Sequence, residues 1–127
     1  MKLGDLPDWL QELSIKLNYQ CLTPSVSDQA IINEYEPGQG IASHIDCISC
    51  FADNVAIVSL GSGCIMDFTS PDQKKEHLYL QPQSLLILSG EARYLWKHSI
   101  AKRKTDLVSG NKLARRRRVS ITFRKVL

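Results

Sequence analysis

Two histidines and one aspartate have the types and the spacing of an iron site. His44 and Asp46 form a His-x-Asp pair, and His98 follows far downstream. Alternate residues of a strand point to one face, so the pair can project together at a strand end, where His98 can join it from a neighbouring strand. Two neutral imidazoles and one carboxylate suit ferrous iron, because they leave coordination positions for a cosubstrate and O₂. The alternative is a chance pair and an ordinary interior histidine.

Two arginines suggest what is held beside the metal. Arg118 and Arg124 are an even number of residues apart, which places both on one face of a strand. A guanidinium grips a carboxylate with two hydrogen bonds, and two inward arginines without an anionic ligand would be unpaired buried charges. The pattern predicts a bound dicarboxylate, with surface salt bridges as the alternative. Val119, Ile121 and Phe123 make the opposite face more apolar, which leaves open which face looks inward.

One helix and a set of short strands must position these residues. Apolar residues at helical spacing from Leu6 to Leu17, with Pro7 in the first turn, predict an N-terminal helix. Short β-rich runs follow at residues 30–35, 41–45, 55–60, 65–68, 77–80, 84–89, 94–100 and 119–126. Turn residues separate the runs. We predict a mainly β fold, a double-stranded β-helix (jelly roll) with the helix packed on the sheet, and a mobile segment at residues 102–116.

Length and composition predict one domain. With 127 residues and 43% hydrophobic content, the chain can bury one compact core, so we expect a single domain over residues 1–127. No apolar run approaches the roughly 20 residues that span a bilayer, and the first residues lack a secretory pattern. We expect a cytoplasmic location, with the nucleus as a second possible location.

The cysteines agree with an intracellular protein. Cys21, Cys47, Cys50 and Cys64 are too sparse for a disulfide scaffold, so reduced thiols are expected. Cys47 and Cys50 form a C-x-x-C motif, which is typical of zinc or redox sites when a second ligand pair is present. No second pair exists in the sequence.

Charge is divided unevenly along the chain. Residues 1–91 carry 4 Lys or Arg against 12 Asp or Glu, whereas residues 92–127 carry 12 against 1. A basic C-terminal third indicates a polyanionic partner, favouring nucleic acid over a membrane. The candidate phosphate contacts are Lys102, Arg103, Lys104, Arg115, Arg116 and Arg117. A solvated loop made basic for solubility is the alternative.

Several separated blocks resemble a known family. They are Asn33–Asp46, Val58–Ser62, Ile65–Phe68, Gly90–His98 and Thr122–Lys125. In this order they resemble the AlkB family of Fe(II)- and 2-oxoglutarate-dependent dioxygenases. The Gly90–His98 block most resembles members that modify the wobble uridine of transfer RNA.

The resemblance implies a role for each candidate residue. It implies that the His-x-Asp pair and His98 bind the iron. Asn33 and Tyr35 are implied to hydrogen-bond 2-oxoglutarate, Arg124 to pair with its carboxylate next to the metal, and Arg118 with its distal carboxylate. The implied cofactors are Fe(II), 2-oxoglutarate as cosubstrate, and O₂.

The preferred function is a dioxygenase that acts on RNA and hydroxylates a modified wobble uridine of tRNA. An oxidative demethylase of N-alkylated bases in nucleic acid is one alternative. A catalytically inactive, basic RNA-binding jelly roll is the other. Relatives in the family place a nucleotide lid before this region, which is expected to be short or absent here, and flanking RNA-binding or methyltransferase units are possible partners.

Overall fold

The computed structural model describes residues 5–127, so the first four residues of the predicted domain lie outside it. A helix, α1 (Asp8–Tyr19), comes first, and a short helix, α2 (Gly90–Tyr94), interrupts the series of strands. The strands are β1 (Gln29–Tyr35), β2 (Ile41–His44), β3 (Val55–Gly61), β4 (Cys64–Thr69), β5 (Lys75–Leu80), β6 (Ser84–Leu88), β7 (Lys97–Ile100), β8 (Thr105–Val108), β9 (Asn111–Ala114) and β10 (Arg118–Arg124).

Two four-stranded antiparallel sheets form the body of the fold. One has the strand order β1-β10-β3-β6 and the other the order β2-β7-β4-β5. Their inner faces meet in one apolar cluster, made of Val55, Ile57, Cys64, Met66, Leu80, Leu88 and Ile100. Each of the eight predicted runs overlaps a strand of these sheets. The predicted mainly β jelly roll is therefore confirmed.

Helix α1 covers the outer face of the first sheet. Leu10 and Leu17 pack there against Ala56, Ile121 and Phe123 in a second apolar cluster. Burial of this apolar stripe, rather than helix propensity alone, holds a 12-residue helix in place. The apolar residues of β10 thus face the helix, and its alternate polar residues face the space between the sheets. This settles which face of β10 looks inward.

The segment predicted to be mobile is an ordered hairpin instead. Strands β8 and β9 pair from Thr105 opposite Ala114 to Val108 opposite Asn111. Ser109 and Gly110 both have positive φ and form its turn. Strand β7 also begins later than predicted, because Tyr94 belongs to α2. Among residues 5–127, no helix is long and apolar enough to cross a membrane.

Candidate active site

Two strands and one loop bring the predicted triad together. His44 ends β2 and is the register partner of His98 on β7, with the two ring centroids 4.4 Å apart. Asp46 follows in the loop that leaves β2. One ligand atom from each of the three residues lies within 4.8 Å of the other two. The three residues that the sequence spacing singled out therefore lie together in the structure.

An irregularity in β2 aims His44 into this cluster. Ile41 pairs with Ile100 and His44 with His98, so a three-residue step on β2 matches a two-residue step on β7. A bulge of this kind carries one extra residue and turns the following side chains to the other face. As a result Ile41 and His44 line the same cavity although they are an odd number of residues apart. Gly40 permits the close approach, since a Cβ there would lie 2.2 Å from the Ile100 carbonyl oxygen.

The two oxygens of Asp46 face different partners. Oδ1 lies 3.4 Å from Nε2 of His44 and 3.5 Å from Nε2 of His98. Oδ2 accepts a hydrogen bond of 3.0 Å from Nη1 of Arg124, whose Nε donates to Gln29. Ligand atoms that are each about 2.0–2.2 Å from one ion lie about 3–3.5 Å apart, so the Oδ1 and Nε2 spacing fits a shared metal.

Both imidazoles turn Nε2 toward Oδ1 of Asp46, where a shared metal would sit. Nδ1 of His44 donates to the Ala42 carbonyl at 2.7 Å, which fixes the tautomer that leaves the Nε2 lone pair free. Burial, and then the neighbouring charge of His44, lowers the pKa of His98 to about 4. His98 is therefore neutral near pH 7, which is the form that binds a metal.

A cavity of about 140 Å³ opens beside the triad, between the two sheets. Alternate residues of β1 and β10 line one wall, because side chains at every second position share a face. The polar members of that wall are Asn33, Tyr35, Arg118, Ser120, Thr122 and Arg124. All four residues implied to bind 2-oxoglutarate are thus on this wall.

Arg118 is the clearest sign that this cavity is suited to bind an anion. It is 3% exposed, and its Nη2 donates to Ser59 Oγ at 2.9 Å. Its Nε and Nη1 are buried and have no hydrogen-bond partner among the described residues. The Tyr35 ring lies 5.3 Å from the guanidinium carbon. Unmet buried donors on a cation cost free energy unless a ligand satisfies them, and a carboxylate is a strong acceptor for a guanidinium.

Two polar partners of the arginines were missed from sequence. Gln29 lies opposite Arg124 in the β1–β10 register, and Ser59 lies opposite Ser120 on β3. Ser59 interrupts an apolar strand run, and that lone polar residue is the signal that was available. Gln29 gave no such signal, because it precedes the predicted start of its strand.

The basic residues of the C-terminal third are only partly at the surface. Arg115 is 8% exposed and donates from Nε and Nη2 to both carboxylate oxygens of Asp106, at 2.8 Å each. This corrects its prediction as a surface phosphate contact. Arg103 shares Asp106, and Arg117 pairs with Glu34 at 2.9 Å. The candidates that remain exposed and outside any ion pair of the described chain are Lys102, Lys104 and Arg116.

The expectation of reduced thiols is wrong for one pair. Cys47 and Cys50 form a disulfide, with their Cα atoms 5.2 Å apart. A tight turn brings them together, because the amide of Cys50 donates to the Cys47 carbonyl. Cys21 and Cys64 are free. The disulfide lies in the loop that carries Asp46.

The chain matches the profile of the family described as the 2OG-Fe(II) oxygenase superfamily over residues 2–124. It belongs to that superfamily. The cofactors of this oxygenase are accordingly Fe(II), 2-oxoglutarate and O₂.

The oxygenase is similar to two curated proteins. It is 40% identical over 124 residues to protein L905 of Acanthamoeba polyphaga mimivirus, covering 96% of this chain and 59% of that protein. It is 42% identical over 139 residues to the tRNA (carboxymethyluridine(34)-5-O)-methyltransferase alkbh8 of Xenopus tropicalis, covering 97% of this chain and 22% of that protein. The chain therefore spans about three fifths of the viral relative and about a fifth of the frog relative.

A solved structure agrees with the fold. The structure of OsALKBH1 superposes with a TM-score of 0.65 at 17% identity, covering 94% of this chain and 64% of that one. At this level of identity the similarity concerns the fold alone, and it supports the jelly roll of the oxygenase.

Proposed function

We propose that this oxygenase acts on RNA and hydroxylates a modified uridine at the wobble position of tRNA. The observation that carries the proposal is the 42% identity, along 97% of the chain, to a protein named for methyl transfer to carboxymethyluridine 34 of tRNA. An oxygenase region inside such a protein is suited to oxidise the same nucleoside. Because the chain spans 22% of that relative, its substrate is part of the proposal.

In this proposal His44, Asp46 and His98 hold the iron. Asp46 binds through Oδ1, because Oδ2 is already bonded to Arg124. Three protein ligands leave positions open on the metal. Iron and 2-oxoglutarate, when bound, supply the oxidation: O₂ converts the keto acid to succinate and CO₂ and inserts one oxygen atom into a substrate C–H bond. The protein groups orient the reactants and exclude water.

The wall of β1 and β10 residues holds the cosubstrate. Arg118 is assigned to the distal carboxylate of 2-oxoglutarate, which would accept from the unpartnered Nη1. Arg124 lies at the metal end and is assigned to the carboxylate beside the iron, while it keeps Asp46 oriented. Asn33 and Tyr35 line the same cavity and are assigned hydrogen bonds to the bound acid.

Phosphate contacts are assigned to the basic residues that remain free. Lys102, Lys104 and Arg116 are exposed. Replacing all three with Ala is expected to weaken RNA retention and to reduce the slope of log affinity against log salt by about 2, since each phosphate contact on a single strand contributes about 0.7. Filter binding at several salt concentrations measures this slope.

Mass spectrometry of nucleosides tests the reaction. Transfer RNA is incubated with iron-loaded protein, 2-oxoglutarate and air, then digested to nucleosides. We expect a gain of one oxygen on the wobble uridine and release of succinate. Loss of one methylene from a methylated base would instead identify a demethylase. Succinate release without any change in RNA would remove RNA as the substrate.

A matched pair of histidine variants controls the experiment. His44→Ala should abolish succinate release and leave RNA retention unchanged. His77→Ala is the control, because His77 also pairs with an aspartate, Asp67, but its side chain is outside the cavity. Equal losses of turnover in the two variants would contradict the iron-ligand assignment.

A further inference from the structure

Arg93 is a buried cation that has no acidic partner among residues 5–127. It is 2% exposed and is the largest of the fully buried side chains. Within the described chain its guanidinium bonds to main-chain carbonyls rather than to a carboxylate. Arginine is almost never fully buried unless it is paired, because removing its charge from water is costly. Such an arrangement calls for a specific role.

All hydrogen bonds of Arg93 go to the loop that carries Asp46. Nη1 donates to the carbonyl of Asp46 itself at 2.9 Å. Nη2 donates to Cys47 at 3.1 Å and to Phe51 at 3.2 Å, and Nε donates to Ala52 at 3.3 Å. The Arg93 guanidinium therefore bonds to both ends of the loop between β2 and β3. A fork of fixed donors can hold several carbonyls in one relative geometry.

The helix that carries Arg93 is tied to the same loop in return. The Asp53 carboxylate accepts a hydrogen bond from the Gly90 amide, at the start of α2, at 3.2 Å. The Tyr94 ring lies 4.8 Å from the Arg93 guanidinium carbon. Helix α2 leads within a few residues into β7, which carries His98. Arg93 thus links the main chain of one proposed iron ligand to the element that precedes another.

We propose that Arg93 is a positioning residue for the iron site. It fixes the main chain of Asp46 relative to His98, whereas Arg124 fixes the rotation of the Asp46 carboxylate. The proposal rests on the iron-ligand assignment made above. Groups that orient metal ligands without touching the metal typically alter metal affinity by about 10- to 100-fold when they are changed.

Metal affinity separates positioning from a purely structural role. The apo protein is titrated with Co(II), whose absorption spectrum reports both affinity and geometry, with the disulfide state matched between variants. We expect Arg93→Met to weaken Co(II) binding about 10- to 100-fold. The Co(II) affinity of Arg93→Lys should lie between those of the parent and of Arg93→Met, because an ammonium cannot bond to all the carbonyls at once. Amide exchange at residues 47–52 should quicken in the metal-free variants.

Ser14→Ala is the matched control for stability. Ser14 is 1% exposed, and its Oγ bonds to the main-chain N and O of Ser27, on the α1 side of the first sheet. Its loss should lower the melting temperature and leave the Co(II) affinity unchanged. If Arg93→Met does not fold, Arg93→Lys and Asp53→Ala carry the test, since Asp53 is exposed and belongs to the same tie.

The outcomes are distinguishable from those for the proposed function. Co(II) affinities equal to the parent's in folded Arg93→Lys and Asp53→Ala, with losses of stability like that of Ser14→Ala, would overturn the positioning role. A parent protein that does not bind Co(II) would overturn the ligand assignment and this inference together. RNA and 2-oxoglutarate are absent from the titration, so its result does not depend on the proposed substrate.

Discussion

Arg115 and Arg118 are three residues apart, both are buried, and their surroundings differ completely. Every side-chain nitrogen of Arg115 has a partner, at Asp106 or at the Ala101 carbonyl, between 2.7 and 2.8 Å. Arg118 has one partner, Ser59, and two buried nitrogens without any in the described chain. Arg115 stabilises the β8–β9 hairpin through its bonds to Asp106, whereas Arg118 faces the cavity beside the triad.

The contrast shows how to tell a structural arginine from a ligand-binding one. A buried guanidinium whose donors are all met contributes to the folded state, and its loss strands a charged partner. A buried guanidinium with unmet donors lowers stability until a ligand arrives. Burial alone does not separate the two, because Arg115 is 8% exposed and Arg118 is 3% exposed. The four predictions below test this distinction.

The largest effect is expected on stability at the hairpin. Arg115→Met should lower the free energy of unfolding by about 3 kcal/mol, because Asp106 is 2% exposed and would lose the arginine that bonds to both of its carboxylate oxygens. Urea unfolding measures the change. The affinity for 2-oxoglutarate should remain that of the parent. A variant as stable as the parent would show that the buried pair is not an anchor.

The converse substitution should affect binding and spare the fold. Arg118→Met removes two unmet donors, so the free energy of unfolding of the apo protein should be unchanged or higher. The affinity for 2-oxoglutarate should fall about 100-fold, since a charge-assisted pair contributes about 3 kcal/mol and each 1.4 kcal/mol is tenfold. Calorimetry with Mn(II) in place of iron measures the affinity. A loss of stability as large as that of Arg115→Met would abolish the distinction.

The cosubstrate itself should stabilise the parent more than the variant. At ten times its dissociation constant, 2-oxoglutarate with Mn(II) should raise the free energy of unfolding of the parent by about 1.4 kcal/mol. Arg118→Met, at the same concentrations, should gain about a tenth as much or less. Equal gains would place the acid away from Arg118. Thermal shift assays with succinate as a weaker diacid provide a comparison.

The smallest effect concerns acid. Burial alone would raise the pKa of Asp106, but hydrogen bonds from Arg115 and Arg103 outweigh it and lower this pKa below its ordinary value of 3.8. The unfolded chain therefore binds the proton more readily, so this contribution is complete only well above pH 3.8 and is lost as the pH falls through 3.8 toward the lower pKa of the folded chain. The parent should lose stability more steeply there than Asp106→Asn, by at most about 1.4 kcal/mol per pH unit. Equal losses of stability in the parent and in Asp106→Asn, measured by urea unfolding at pH 5, 4 and 3, would contradict this.

The sequence predicted the site better than its surroundings. Period-two spacing was enough to align Arg118 with Arg124, because a strand presents alternate residues to one face. His44 and Asp46 also meet as predicted, but Asp46 does so from the loop that follows β2. The jelly roll followed from strand runs and turn residues. The side of β10 that faces inward could not be predicted, since both faces are buried and one of them is covered by α1.

The failures share a physical cause. Residues 102–116 were expected to be mobile, yet Asp106, the single acidic residue after position 91, pairs with Arg103 and Arg115, which flank the hairpin. The Cys47–Cys50 disulfide depends on a turn that the charge and hydropathy patterns do not reveal. In each case the outcome rests on one tertiary contact, which local patterns do not encode.

The bulge in β2 gives the metal centre a vulnerability that involves none of its ligands. Regular pairing without the bulge would place Ser43 opposite His98, while Ile41 kept its pairing with Ile100. The imidazole that follows would then be turned to the outer face of the sheet. Such a protein would keep its core and its strand order, yet only two ligands would remain at the metal centre. The pairing register of a single short strand therefore decides the chemistry.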